Sequence, residues 1–206
     1  MNINEHSLSQ LRERVSKMLS PSRFQHTLGV ERAAAMLAEY LLPQDVTEIR
    51  VAALLHDVTK ELDYDTELSL FREFGVVLTA EDAETRPAYH SFSAPLYIRK
   101  HLPEYATPNV LSAVKNHTLG ATDMSTFDKI IHIADYVEEG RTYASSRIVR
   151  DFLYSKMDKD NLLASVRALD EAIVMSIDFT VSSLRARGYK VHSRTLETKK
   201  ALQALI

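Results

Sequence analysis

The chain has 206 residues, enough for a substantial hydrophobic core, and its 45% hydrophobic and 26% charged content is that of an ordinary soluble globular protein. It contains no cysteine, which excludes disulfides, thiolate nucleophiles and cysteine-ligated zinc or iron–sulfur centres, so any metal must be held by imidazole and carboxylate. A net charge of −3 gives no general reason to expect nucleic acid as a partner. No apolar run approaches the roughly 18 residues of a membrane span, and the start M-N-I-N-E-H lacks the basic and apolar regions of a signal peptide. The absence of cysteine fits a reducing cytoplasm, which is the expected location.

The pattern is helical nearly throughout. Leu8, Leu11, Val15, Met18 and Leu19 recur at helical spacing and predict a first helix that stops before Pro21. Ser20-Pro21-Ser22 opens a second, running to about Leu42, with Phe24, Leu28, Val30, Ala33, Ala34, Leu37 and Leu41 on its buried side and His26 near its start. A third helix from about Asp45 carries Ile49, Ala52, Ala53 and Leu55 and ends in A-A-L-L-H-D-V-T-K, residues 52–60. Asp63 to Phe74 reads as a short helix closed by Gly75. Thr79-Ala80-Glu81-Asp82 looks like a capping box, but the stretch from there to Pro87 is read as irregular. Ala88 to Leu102 is a helix with His90 in its first turn. Thr107-Pro108 starts another that carries His117 and is closed by Gly120. Ser125 to Glu139 is strongly periodic and includes Asp135. Tyr143 to Tyr154 and Asp158 to Arg187 are two further helices, and the tail from Tyr189 to Ile206 is expected to hold a short strand and then a short helix. The fold class is therefore all-α, a helical bundle over residues 1–206 treated as one domain, with a motif core at about 23–141 and C-terminal helices over 143–206.

The chemistry concentrates at His56-Asp57. Four apolar residues lead directly into this pair, and a buried imidazole beside a buried carboxylate is costly unless the two are paired or hold a metal. Taken alone, the pair reads more readily as an ordinary helix end. Of the eight histidines, however, His26, His56, His90 and His117 each fall in or near the end of a different helix, and Asp57 and Asp135 lie among them. Helical bundles build metal sites in this way, from inward side chains on several helices. His6, His101 and His192 sit in surface-like contexts. His132 shares a face with Asp135 and is read as a packing residue, while Arg147, Arg150, Lys199 and Lys200 are read as solvated and Tyr64, Tyr89, Tyr97, Tyr136 and Tyr143 as core or rim.

The series His26, His56-Asp57, His90, His117, Asp135 resembles the ligand series of the binuclear branch of the HD-domain superfamily. The segments R-F-Q-H-T-L-G-V (23–30), L-L-H-D-V-T-K (54–60), N-H-T-L-G (116–120), M-S (124–125) and D-K-I-I-H-I-A-D-Y-V-E-E-G-R (128–141) are similar to one family within it. These are the YqeK-type symmetrical bis(5′-nucleosyl)-tetraphosphatases, which split diadenosine tetraphosphate into two ADP. The resemblance implies an HD-domain helical bundle with a central metal site. One metal would take His26, His56, Asp57 and Asp135, and the other would take Asp57 as a bridge with His90 and His117. It also implies two divalent transition-metal ions, iron first, with manganese, cobalt or zinc as alternatives. Such a pair, about 3.5–4 Å apart, holds a bridging hydroxide that attacks the phosphoryl group.

Within that frame Asp57, Lys60 and Arg141 are the expected catalytic residues. Lys60, Asn116, Thr118, Gly120 and Arg141 are the expected substrate contacts, Lys60 on the same face as His56 if the helix continues, Arg141 as a fork onto phosphate. The expected partner is a small dinucleotide, with neither membrane nor nucleic acid; the choice between monomer and homodimer stays open. Three other readings compete: an HD phosphohydrolase of a nucleoside monophosphate, cyclic dinucleotide or guanosine alarmone; a di-iron oxygenase; and a non-catalytic nucleotide sensor. The chain departs from the family pattern after His90, where Ser91-Phe92-Ser93-Ala94 replaces the smaller residues expected there, and it matches only loosely after Gly188.

Overall fold

Prolines and capping side chains set where the helices start. The structure, a computed structural model, describes residues 4–206 and contains eleven α-helices and no strand among them. Asn4 caps α1 (Glu5–Ser16), and Ser20 with Pro21 opens α2 (Pro21–Leu41). A short 3₁₀ turn leads into α3 (Val46–Leu55), and Asp63 caps α4 (Tyr64–Glu73). α5 (Ala80–Glu84) is followed by α6 (Tyr89–His101), and Thr107 with Pro108 opens α7 (Pro108–Asn116). Ser125 and Asp128 form a complete capping box at α8 (Thr126–Val137). The chain ends with α9 (Ala144–Lys156), α10 (Leu162–Ala186) and α11 (Ser193–Gln203).

Three local expectations are corrected. The third helix stops at Leu55, so His56 caps it and residues 56–61 form turns; Lys60 therefore does not continue the face of His56. The segment from Thr79 does fold as a helix, α5, because its capping box closes from both sides and Glu81 and Asp82 bind Ser193 and His192. The tail forms no strand: residues 189–192 are irregular, with Lys190 paired to Glu84, and α11 follows at once.

α2 and α8 are the central helices. α2 packs along α3 and α8, while α8 also packs against α7, α9 and α10. Leu37, Leu54, Leu55, Ile130, Ile131 and Ile133 are fully enclosed in the main core, and the CH₂ and CH₃ groups they remove from water supply its chief stabilisation. A buried ion pair, Lys129 Nζ to Asp170 Oδ1 at 2.7 Å, joins α8 to α10. Because α2, α3, α6, α7 and α8 all contact that core, the polar residues at their facing ends meet in one place.

Candidate metal centre

Six side chains from five segments converge. His26 comes from α2, His56 and Asp57 from the end of α3 and the turn beyond it, His90 from the first turn of α6, His117 from the C-cap of α7 and Asp135 from α8. One ligand-type atom each from His26, His56 and Asp135 lie within 4.8 Å of one another, and the same holds for Asp57, His90 and His117. Asp57 stands between the two groups. Its Oδ2 is 3.5 Å from His56 Nε2 and 3.9 Å from His26 Nε2, while its Oδ1 is 3.3 Å from His90 Nε2 and 3.7 Å from His117 Nε2.

The imidazoles are oriented alike. His56 Nδ1 lies 2.6 Å from the Ala53 carbonyl, His117 Nδ1 2.6 Å from Val114 and His90 Nδ1 3.0 Å from Pro87, each three residues back along the chain. A carbonyl only accepts, so each Nδ1 carries the proton and each Nε2 turns a lone pair inward. His26 differs, since its Nδ1 meets the carboxylate of Glu138 at 3.1 Å. Outer acceptors of this kind fix a metal-binding imidazole and raise its basicity.

The inward lone pairs are in surplus. His26 Nε2 and His56 Nε2 are buried without a hydrogen bond, although Asp135 Oδ1 stands 2.9 Å from His26 Nε2. His90 Nε2 and His117 Nε2 face each other at 3.0 Å, with the Thr118 hydroxyl, at 3.0 and 2.9 Å, to share between them and Lys60 Nζ 3.2 Å from His90 Nε2. Buried acceptors without donors are costly, and a divalent cation of the kind that takes imidazole and carboxylate is what this donor set fits.

Titration follows the same logic. Burial alone would push the Asp57 carboxyl up, but His56, His117 and His90 outweigh it and hold the group well below the usual carboxylate range. Asp135 is likewise held well below it, burial being overcome by Arg141, His26 and His56. Burial lowers the His56 imidazole, yet Asp57 and Asp135 raise it further, whereas burial with Lys60 and His117 drives His90 well below the ordinary value.

Three cations ring the carboxylates. Arg141 reaches Asp135 Oδ1 at 2.6 Å and its backbone carbonyl at 2.8 Å, and Arg23 donates to Asp57 Oδ2 at 3.0 Å. Lys60 Nζ lies 3.1 and 3.2 Å from the two His90 ring nitrogens and 3.4 Å from the Pro87 carbonyl, and burial lowers its pKa. Thr118 touches the centre. Asn116 does not point there: its amide bonds Ser112 and Asp128 while its oxygen accepts from Arg194. Gly120, at φ +75°, turns the chain after His117.

Some residues escaped the sequence reading. Glu138 is buried and accepts from Gly140 N–H at 2.6 Å as well as meeting His26; its signal was the three-residue spacing from Asp135. Arg23 carries the same signal, three before His26 on α2. His192 is buried and Nε2-bonded to Asp82 at 3.0 Å rather than surface-exposed, and Arg150 is half-buried, donating to the carbonyls of Val137, Glu138 and Arg141. His132 is buried, 3.3 Å from the Asn116 carbonyl, and burial lowers its pKa. Tyr89 is core, but Tyr143 is exposed.

The sequence model of the HD domain matches residues 23–140, more than half of the chain and all six converging side chains. The chain belongs to the HD-domain family. Its helical HD domain is shared with a solved chain from Clostridium acetobutylicum, described as a predicted HD superfamily hydrolase involved in NAD metabolism. That structure superposes with a TM-score of 0.82 at 27% identity, covering 96% of this chain and 97% of the other. Three relatives bear the name symmetrical bis(5′-nucleosyl)-tetraphosphatase, two of them as follows. The protein of Halalkalibacterium halodurans is 30% identical over 91% of this chain and 92% of its own length, and that of Staphylococcus aureus is 26% identical over 85% and 89%. Among the described residues, no helix of this HD domain is long and apolar enough to cross a membrane.

Proposed function

We propose that the chain is a metal-dependent hydrolase of dinucleoside polyphosphates that cuts diadenosine tetraphosphate between its second and third phosphates, releasing two ADP. The observation that carries this reading is the position of Asp57, with one oxygen toward each of two histidine-bearing groups. We assign one ion to His26, His56, Asp57 and Asp135 and a second to Asp57, His90 and His117, with Asp57 as the bridge. Imidazole and carboxylate suit iron, our first choice, and also manganese, cobalt and zinc. Bound there, two such ions would supply an acidified water and neutralise phosphoryl oxygens.

The remaining work falls to the chain. Arg141 holds Asp135 ionised and aimed, and Arg23 aims Asp57, since each donates directly to its carboxylate. Lys60, held at the edge of the site, takes an anionic phosphate oxygen as a point charge. The Thr118 hydroxyl, beside His90 and His117, offers a hydrogen bond to the same substrate. Water adds to one central phosphorus and the bridging oxygen leaves with the other, so one water is consumed and both products are diphosphates. The relatives named above carry the choice of a dinucleotide.

The test is incubation of iron- or manganese-loaded protein with diadenosine tetraphosphate and chromatography of the products. ADP alone is the expected result. ATP with AMP, or no turnover beside rapid hydrolysis of a nucleoside monophosphate, would overturn the reading.

A further inference from the structure

α11 lies beyond the residues that the HD domain model matches, yet its first turns join two segments that flank the His90–His117 side of the centre. Arg194 Nε donates to the Gly120 carbonyl and its NH2 to Asn116 Oδ1, both at 2.6 Å, so one guanidinium spans the residues on either side of His117. Thr195 donates to the Leu119 carbonyl at 3.4 Å, and a Cβ on Gly120 would come within 2.5 Å of Thr198, so the loop is seated tightly on the helix. On the other side, Ser193 donates its N–H and hydroxyl to Glu81 at 2.7 and 2.6 Å, and His192 Nε2 donates to Asp82 Oδ1 at 3.0 Å. The His192 tautomer is set, because Nδ1 accepts the Arg194 N–H at 3.1 Å. Glu81 and Asp82 belong to α5, which precedes the His90 helix.

We propose that Arg194 is a positioning residue for the His90–His117 pair, the central member of a C-terminal strap that holds those two imidazoles in register while leaving the His26–His56–Asp135 group to the core helices. The strap draws on nothing but backbone carbonyls, an amide and two carboxylates, and it touches neither ligand. This inference rests on the two-ion reading given above.

The experiment titrates Mn²⁺ into metal-free wild-type, Arg194→Ala and Arg194→Lys full-length protein by calorimetry, with circular dichroism as the check of folding. In Arg194→Ala one ion is expected to bind as in wild type and the second about 10–100-fold more weakly, the range seen when outer-shell partners are removed. Arg194→Lys, which can satisfy one of the two acceptors, should recover part of that loss. Equal weakening of both ions, or no change, would overturn the proposal. If wild type binds a single ion, the two-ion reading fails on its own, and amide exchange in metal-free protein then decides the strap. Exchange at residues 117–120 at least about 10-fold faster in Arg194→Ala, with α3 unchanged, supports it. Identical exchange overturns it.

Discussion

Glu138 accepts from Gly140 N–H and meets His26 Nδ1, and the space it occupies exists because residue 29 has no side chain. A Cβ at Gly29 would stand 2.2 Å from Glu138 Oε2 and 3.0 Å from its carboxyl carbon. Gly29→Ala should therefore act on the metal centre by displacing Glu138. We expect Glu138→Ala to weaken metal binding about 10–100-fold and Gly29→Ala to weaken it in the same direction. The two effects should be strongly non-additive in the double variant, since the second change has nothing left to displace. Calorimetric metal titration of the four proteins gives the coupling, and simple additivity would show that Gly29 acts elsewhere. Lys60 gives the contrasting case. Lys60→Ala should raise the KM for dinucleotide about 10-fold or more, as loss of a charge-assisted contact does, while metal content by elemental analysis stays unchanged. Loss of metal instead would make Lys60 a support of His90 rather than a substrate contact.

At the scale of the element, α4 and α6 are joined through a buried polar chain. Ser93 Oγ lies 2.9 Å from Glu67 Oε1 and 2.8 Å from Thr59 Oγ1, and the Thr59 hydroxyl donates to the His90 carbonyl at 3.2 Å. One Ser93 proton cannot serve both acceptors, and burial raises the Glu67 pKa against the bond from Ser93. The sign follows directly. A carboxyl whose folded value is raised contributes stability that is full below the ordinary glutamate range and is lost as pH rises through the raised value. Glu67→Gln stays neutral and keeps the contribution, so the variant should be more stable than wild type at pH 7, with the gain shrinking as pH falls through the raised value and gone below about pH 4.5. Thermal unfolding at the two pH values measures it, and a gain that does not depend on pH would remove the titration from the explanation. Helix starts such as Ser20-Pro21, Thr107-Pro108 and Ser125 with Asp128 were legible in the sequence because a cap and its helix are neighbours in the chain. α5 was not, since its acidic first turn is held by Ser193 and His192 from the far end of the chain.

For the molecule as a whole, α2, α3, α6, α7 and α8 are independent helices whose inward ends share one polar chamber, and the native arrangement alone brings the six side chains together. An ion that binds only this arrangement stabilises it by mass action. At a concentration 100-fold above the dissociation constant the gain is about 2.7 kcal/mol, which for a chain of this size is a rise in Tm of about 5–10 °C. We expect Mn²⁺ to raise the Tm of metal-free protein by that order and a chelator to reverse it; an unchanged Tm would count against the centre. The ligand series could be read in order from the sequence because its motifs are short and local. The residues that orient or brace them could not, because Glu138 meets His26, Arg23 meets Asp57 and Arg194 meets Asn116 only across the folded chain.

Three of the four inward imidazoles are aligned by a carbonyl of their own turn, and only His26 takes its alignment from a remote side chain. Each of those three arrives as a self-contained cassette, a few residues that carry both the ring and the instruction for where it points. A centre assembled from cassettes asks the surrounding scaffold for placement and little more. Sequence can then drift widely around it without each ligand's aim having to be reinvented. The exception, His26 with Glu138 and Gly29, is where such drift is least tolerated, because three separate positions must change together or not at all.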